Sequence, residues 1–213
     1  WDQAEINNAS SDLAAKRFPL SPKINNELLN RIKPSSNAVA GQNALLRAMV
    51  SREGEPRLGI EGYPAEGGLF ASVLEATGLY GKVKGHWQFN APTKKRDPSN
   101  LVHLWDAAAE HLKDSKDRTV TVDELYELWG KPPFGLKDGL KPVMAVAFIL
   151  TQREHVALYR EGIFQAHFKD IDVEILAKNA GDIQLRWMDL SDLSRRLLSS
   201  MAEVVRDLDA SNS

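Results

Sequence analysis

The chain has 213 residues, a formal net charge of -2, 43% hydrophobic and 26% charged residues, and no cysteine. This balance is typical of a globular protein, and the lack of cysteine excludes disulfides, thiolate metal sites and a cysteine nucleophile. The longest apolar run, Val143 to Leu150, is too short to span a bilayer, so we expect a cytoplasmic protein without membrane contact. Because the sequence begins at Trp1 with no signal segment, we expect either a piece of a longer polypeptide or a renumbered chain.

Residues 1–23 are predicted to be a leading linker segment that docks through Phe18 and Leu20. Residues 24–90 form the first predicted unit, in which three helices precede a hairpin that turns at Lys84-Gly85. Its helices are indicated by apolar residues at helical spacing: Ile24, Leu28, Leu29 and Ile32, then Val39, Leu45, Leu46, Met49 and Val50, then Leu69, Phe70, Val73, Leu74 and Thr77. This order of elements is that of a winged-helix domain, whose hairpin is the wing.

The glycine-rich stretch LGIEGYPAEGG, residues 58–68, lies before the third of these helices. A phosphate-binding P-loop ends in Lys followed by Ser or Thr, and a dinucleotide loop needs G-x-G-x-x-G after a buried strand. Neither pattern is present, so the stretch is predicted to be a turn that leads into a helix, which Gly78 ends.

A linker is predicted at residues 91–97, followed by a second winged-helix-like unit at residues 98–168. Asp97 is predicted to cap a helix with Pro98 at its first position, and Thr121 with Glu124 forms a capping box for the next helix. The inward faces of these two helices are predicted from apolar spacing: Leu101, Leu104, Trp105, Ala108 and Leu112, then Val122, Leu125 and Trp129.

The third helix of the second unit follows a Pro-Pro turn and a predicted N-cap at Asp138, with Pro142 in its first turn. Apolar residues on nearly all its faces predict that it is enclosed by the rest of the protein. The strand-like runs HVALY and IFQAHF follow and join in a tight turn at Arg160-Glu161-Gly162. We expect this whole region to be packed core.

Residues 169–213 are predicted to be a C-terminal helical cap, with Ile171, Ile175 and Leu176 on a short helix and a possible strand at Ile183 to Trp187. A long helix is predicted to follow. Its apolar residues form a seam that can pack either on the chain's own core or on a partner helix. The candidate partner-binding residues of this seam are Leu197, Met201, Val204 and Leu208. The predicted fold class is therefore mainly α with short β-hairpins (α+β), as two tandem winged-helix-like units with a C-terminal helix.

Basic residues cluster around the first hairpin, with no acidic residue between Glu75 and Asp97. Such a patch attracts phosphates, although a solvated loop has the same composition. The candidate nucleic-acid-binding residues are Lys82, Lys84, His86, Lys94, Lys95 and Arg96.

No catalytic pattern is apparent in the sequence. The five histidines lack the spacing of a zinc site, and no G-x-S-x-G, H-E-x-x-H or EF-hand pattern occurs. We therefore expect no enzyme activity, no metal and no cofactor.

Three stretches carry a family resemblance: LGIEGYPAE at 58–66, LW at 104–105, and PPFGLKDGLKPVMAVAFIL with ALYREGIFQ over 132–165. In this order they resemble a winged-helix-containing region of large P-loop ATPases from bacterial antiphage defence systems, of the phage-exclusion type. The resemblance spans about residues 36–168. It implies a non-catalytic segment of an ATPase, because the nucleotide-binding lysine and magnesium-binding residues of such proteins have no counterpart here.

Two functional hypotheses remain open. One is an interaction or regulatory module that contacts its parent ATPase core or partner defence subunits. The other is a double-stranded DNA-binding winged-helix module that uses a basic wing. The winged-helix form serves both purposes, so the fold by itself does not decide between them.

Overall fold

The fold is mixed α+β, as the sequence predicts, in a computed structural model that describes residues 11–26 and 35–188 with single residues 194 and 201. The helices of the range 35–188 are α1 (Ser36–Ser51), α2 (Ala65–Leu69, continued as a π-helical segment Phe70–Glu75), α3 (Val102–Asp114), α4 (Val122–Gly130), α5 (Lys141–Thr151) and α6 (Asp170–Lys178). The strands are β1 (Tyr80–Val83), β2 (His86–Phe89), β3 (Val120–Thr121), β4 (Val156–Arg160), β5 (Ile163–Gln165) and β6 (Ile183–Trp187). Short 3-10 turns occur at Pro56–Gly59, Asp138–Leu140 and Ala180–Asp182.

Two helix starts follow the capping chemistry that the sequence predicts, which offers Ser35, Ser36 and Asn37 as N-caps for α1 and a capping box for α4. The Ser35 hydroxyl accepts a hydrogen bond from the Ala38 amide at 3.2 Å and caps α1. At α4, Thr121 accepts from the Glu124 amide at 3.1 Å, while the Glu124 carboxylate accepts from the Thr121 amide at 3.2 Å. Each side chain satisfies one backbone donor that has no partner within the helix, so the capping box is confirmed.

The start of α3 confirms its cap and corrects its first residue. The two Asp97 carboxylate oxygens accept hydrogen bonds from the Leu101 and Val102 amides at 2.7 and 2.8 Å. However, α3 begins at Val102, so the prediction that Pro98 is its first residue is wrong. The carboxylate spans one extra turn of chain before the helix begins.

The predicted N-cap at Asp138 is also wrong. Asp138 begins a 3-10 turn, and its carboxylate pairs with the Lys141 ammonium at 2.5 Å. The helix α5 begins one turn later, with Pro142 in its first turn as predicted. The competing lysine three residues further on removes the carboxylate from the helix amides.

Helix α5 is enclosed on all sides, as predicted. Every residue from Val143 to Leu150 is buried. The Phe148 ring meets the edges of Trp105 and Trp129, with ring centroids 5.9 and 6.2 Å apart. Both indole nitrogens donate to partners, the Thr151 hydroxyl and a main-chain carbonyl, so burial leaves no indole N–H unpaired.

A four-stranded antiparallel sheet in the order β3–β6–β4–β5 covers one side of this core. The sequence predicts a strand at β6 but not its place, which is between β3 and β4. Leu185 of β6 pairs with Val120 on one side and Leu158 on the other, and all three are buried. β6 therefore connects β3, near the start of the second half, to the β4–β5 hairpin.

The two predicted units share one hydrophobic core among the described residues. Helix α1 packs against α5 and α6, and the Arg153 guanidinium forms an ion pair with Glu53 across the two halves. The Gln42 side-chain amide donates to the Gly139 carbonyl. The division into units at 24–90 and 98–168 remains a prediction. Most of the first predicted helix of the first unit, residues 27–34, lies outside the described residues.

The leading segment docks on the second half through Phe18 and Leu20, as predicted, but its residues 11–17 are helical and not an irregular linker. The Leu20 amide donates to the Pro133 carbonyl at 3.1 Å. The Phe18 ring lies on Gly135, so close that a Cβ there would be 2.6 Å from Phe18 Cδ1. Further along, the Lys23 amide donates to the Ser99 carbonyl at 2.8 Å. We call residues 18–26 the strap.

Candidate interaction surfaces

Three of the predicted basic residues lie at the tip of the β1–β2 hairpin. The strand register places Lys84 and Gly85 in a two-residue turn, with φ of 50° and 93°. This is type I′ geometry, whose twist matches that of antiparallel strands and for which glycine is favoured. Lys82 and His86 belong to successive cross-strand pairs and therefore lie on opposite faces of the hairpin. All three basic side chains are exposed.

The other three predicted basic residues form a tight turn after β2. Thr93 and Arg96 make an isolated antiparallel bridge, which leaves Lys94 and Lys95 at the exposed corner. The Arg96 Nε lies 3.7 Å from the position of a Cβ on Gly78, the glycine that follows α2 with φ of 78°. Arg96 is therefore placed over the end of α2, as a cation near helix carbonyls should be.

These six residues form two groups at opposite ends of the hairpin. The Asn90 amide donates to the Leu79 carbonyl at 2.8 Å and closes the base, close to Arg96. Lys84 is five residue steps after Leu79, which at about 3.3 Å per step places the tip about 16 Å from the base. Within the described part of the chain, none of the six basic residues forms an ion pair with a carboxylate.

The predicted C-terminal seam is described at only one position. Met201 is helical and its side chain is 57% exposed. Leu197, Val204 and Leu208 lie outside the described residues. The prediction that this seam binds a partner therefore stays a prediction.

An exposed apolar strand edge is the feature that sequence reasoning missed. Ile163 and Phe164 of β5 are 68% and 58% exposed, so the expectation that this whole hairpin is packed core is wrong here. The reason is position, because β5 is the outer strand of its sheet and is only three residues long. We call Ile163–Gln165 the β5 edge.

Ile171, next to Asp172 in the chain, is a further exposed apolar residue. It lies on the predicted short helix, in the first turn of α6, and is 47% exposed, whereas Val173 and Leu176 of the same helix are buried. Asp172 beside it is fully buried and accepts a hydrogen bond from the Arg160 guanidinium at 3.0 Å. Because Arg160 is the cross-strand neighbour of Ile163, both exposed isoleucines flank one ion pair.

A left-handed turn lies between α1 and α2. Arg57, Leu58 and Gly59 have successive φ values of 52°, 54° and 64°, a conformation that costs non-glycine residues about 1–2 kcal/mol each. Burial of Leu58, which is completely enclosed, helps to offset that cost. The chain then leads to Tyr63, which is fully exposed.

Tyr80 holds the chain that enters this turn. Its hydroxyl accepts a hydrogen bond from the Gly54 amide at 3.1 Å and donates to the Glu55 carbonyl at 2.7 Å. Burial raises the pKa of Tyr80 above its ordinary value, so the hydroxyl stays protonated and keeps its role as donor. The Arg52 guanidinium, 3.0 Å from the Gly59 carbonyl, holds the other end.

A cleft of about 620 Å³ opens beside the turn. Its charged lining residues are Arg47, Arg52, Glu61 and Glu66. Arg47 is also paired with Glu174 at 3.1 Å. The walls carry both signs of charge, so the cleft has no preference for an anion or a cation.

Glu124 is the titratable group with the clearest structural cause for its shift. The Arg118 guanidinium donates to both its oxygens at 2.9 and 2.7 Å and, with the Thr121 amide, lowers the pKa of Glu124 to about 2. His111 Nε2 lies 3.6 Å from the same carboxylate, beyond hydrogen-bond distance. All these groups are structural, because they fix the start of α4 on the surface.

No cluster of three or more His, Cys, Asp or Glu residues that could hold a metal occurs in the described ranges. Nor does any helix of the described residues have the length and apolar character needed to cross a membrane. Comparison of the chain with protein-family models, with curated proteins and with solved structures gave no match.

Proposed function

We propose that this chain is a non-catalytic protein-interaction module of a larger ATPase of the antiphage defence type. The exposure of Ile163 and Phe164 on the outer strand β5, and of Ile171 a few residues further along the chain, is the observation that carries the proposal. Large apolar side chains exposed together on a rigid element are typical of protein contact sites. The exposed Met201 supports the same function at a second place.

The position in an ATPase rests on the resemblance of residues 36–168 to that family. The observed order α3, β3, α4, α5, β4 and β5 supports a winged-helix-like second unit within it. In this proposal the module docks on the parent ATPase core or on a partner subunit, with the enclosed α5 as its rigid centre. It acts in the cytoplasm and carries no catalytic residue or cofactor of its own.

Photo-crosslinking in the native host tests this function. A photoreactive amino acid replaces Phe164 in one variant and the exposed Glu110 of α3 in a control variant. We expect one defined protein adduct from position 164 and none from position 110. With the purified partner, Ile163→Asp and Phe164→Asp should each weaken binding at least about tenfold, as expected for apolar anchors. Equal, diffuse labelling from both positions would remove the basis of the proposal.

A second candidate function is binding of double-stranded DNA. It is favoured by six exposed basic residues that have no carboxylate partner in the described ranges. The hairpin divides them into two groups, so one duplex would have to contact both ends of it. The change Lys82→Glu/Lys84→Glu tests the tip, and Lys94→Glu/Lys95→Glu tests the base, in fluorescence anisotropy with labelled duplex at low and physiological salt. Salt-dependent binding that both changes reduce would favour DNA.

A further inference from the structure

The β5 edge has free main-chain hydrogen-bonding groups. A two-residue turn at Glu161 and Gly162 (φ of 49° and 80°) joins β4 to β5. In an antiparallel pair, alternate residues direct N–H and C=O to the partner strand and the others direct them away. Ile163 and Gln165 therefore bond to β4, and the N–H and C=O of Phe164 point outward. These two groups have no hydrogen-bond partner in the described part of the chain.

β5 is short, which is one way in which proteins protect a free strand, but the edge lacks the other protective features. Natural edge strands are blocked by proline, by lysine or another charge that points inward, or by a bulge. β5 consists of Ile163, Phe164 and Gln165, and its ladder with β4 is regular. An added strand would gain the two main-chain bonds of Phe164, and its side chains would pack beside Ile163 on one face of the sheet and beside Phe164 on the other.

The sequence around the edge is complementary to itself. If two copies pair antiparallel about a two-fold axis at Phe164, its ring meets the same ring of the other copy. The N–H of each Phe164 then donates to the C=O of the other copy, so the outward groups of both edges are satisfied. On either side of this pair, Ile163 of one copy faces Gln165 of the other. A net charge of only -2 gives little general repulsion between copies.

We propose that two copies of this chain associate edge to edge through β5 and form one continuous eight-stranded sheet. The inference rests on the proposed interaction function and names its partner as a second copy of the chain. An extended segment of a different protein is the competing occupant.

Substitution by proline separates the two roles of Phe164. Phe164→Pro removes the outward N–H but leaves every bond between β4 and β5, because proline is tolerated where a strand N–H faces solvent. The control Phe164→Val keeps the N–H and suits a strand but loses the ring. In a concentration series by analytical ultracentrifugation of the 213-residue chain, we expect a monomer–dimer equilibrium for the wild type. The valine variant should show a weaker dimer and the proline variant only monomer.

A cysteine cross-link tests the register. The chain has no cysteine, so Phe164→Cys introduces a single thiol, which in the proposed register lies opposite itself at a separation that a disulfide can span. Mild oxidation should link this variant into a dimer, whereas the matched Glu110→Cys variant should stay monomeric. Circular dichroism of all variants, with the wild-type spectrum expected, shows that they are folded.

The outcomes separate this inference from the proposed function. A wild-type monomer at every concentration, together with a protein adduct from position 164, would overturn the homodimer and keep the interaction module. A monomer with no adduct would overturn both. A dimer that Phe164→Pro leaves unchanged would show that association uses another surface.

Discussion

The contact between Gly135 and the Phe18 ring gives the sharpest test of how the strap is held. Gly135 has a φ of 61°, and a Cβ at this position would lie 2.6 Å from Phe18 Cδ1. The change Gly135→Ala therefore has two costs. Placing alanine in the left-handed region costs about 1–2 kcal/mol. Displacing a half-buried ring costs about 2 kcal/mol, roughly half the value for complete loss of a buried Phe.

The two costs separate in a double-mutant cycle with Phe18→Ala. Gly135→Ala should lower the free energy of unfolding by about 3–4 kcal/mol in the wild type, and by only about 1–2 kcal/mol when Phe18 is already alanine. The measurement is urea unfolding of the four proteins, followed by circular dichroism. Equal losses in both backgrounds would refute the reasoning, because they would mean that the ring does not lie on Gly135.

Three further predictions concern the core, the left-handed turn and acid stability. Phe148→Ala should cost about 3–5 kcal/mol in urea unfolding, because the ring is completely buried between two indoles; a loss below about 1 kcal/mol would contradict its central place. Tyr80→Phe should cost about 1–3 kcal/mol by the same assay, since it leaves the Gly54 amide and Glu55 carbonyl unpaired, and a neutral effect would count against that role. The folded pKa of Glu124 is about 2, below its ordinary 4.5, so its stabilisation is full above about pH 4.5 and is lost as the pH falls towards 2. Thermal unfolding at pH 7, 4.5 and 3 should show a shallower acid loss for Glu124→Gln, with a cost below about 1 kcal/mol at pH 7 because the pair is exposed; parallel pH profiles would refute it.

Local patterns in the sequence predicted much of the fold. The caps at Ser35 and Asp97 and the capping box at Thr121 depend on neighbours within five residues, so the sequence contains all the information they need. The enclosed α5 follows from apolar residues on all its faces. Asp138 does not cap the helix, because its carboxylate can pair either with helix amides or with a nearby cation. In the structure it pairs with the Lys141 ammonium.

Features that depend on distant parts of the chain were not predictable in the same way. Ile163 and Phe164 have the composition of a core strand, and only the sheet order makes them an exposed edge. The basic residues are close in sequence, yet the hairpin separates its tip from its base. The left-handed turn at Arg57 and Leu58 has no sequence signal, because neither residue favours positive φ. The candidate contact site is therefore a property of topology, whereas the helices are a property of local pattern.

The place of β6 has a consequence for the order in which the protein folds. β3 pairs only with β6 among the described strands, although more than sixty residues lie between them. During synthesis on a ribosome, β3 and the β4–β5 hairpin would emerge before β6. Their edges that pair with β6 would stay unpaired until residue 187 is made. Long-range pairing of this kind slows folding, because the loop must close before its contacts form. A fragment that ends at residue 168 would keep those edges open permanently and would be prone to aggregate.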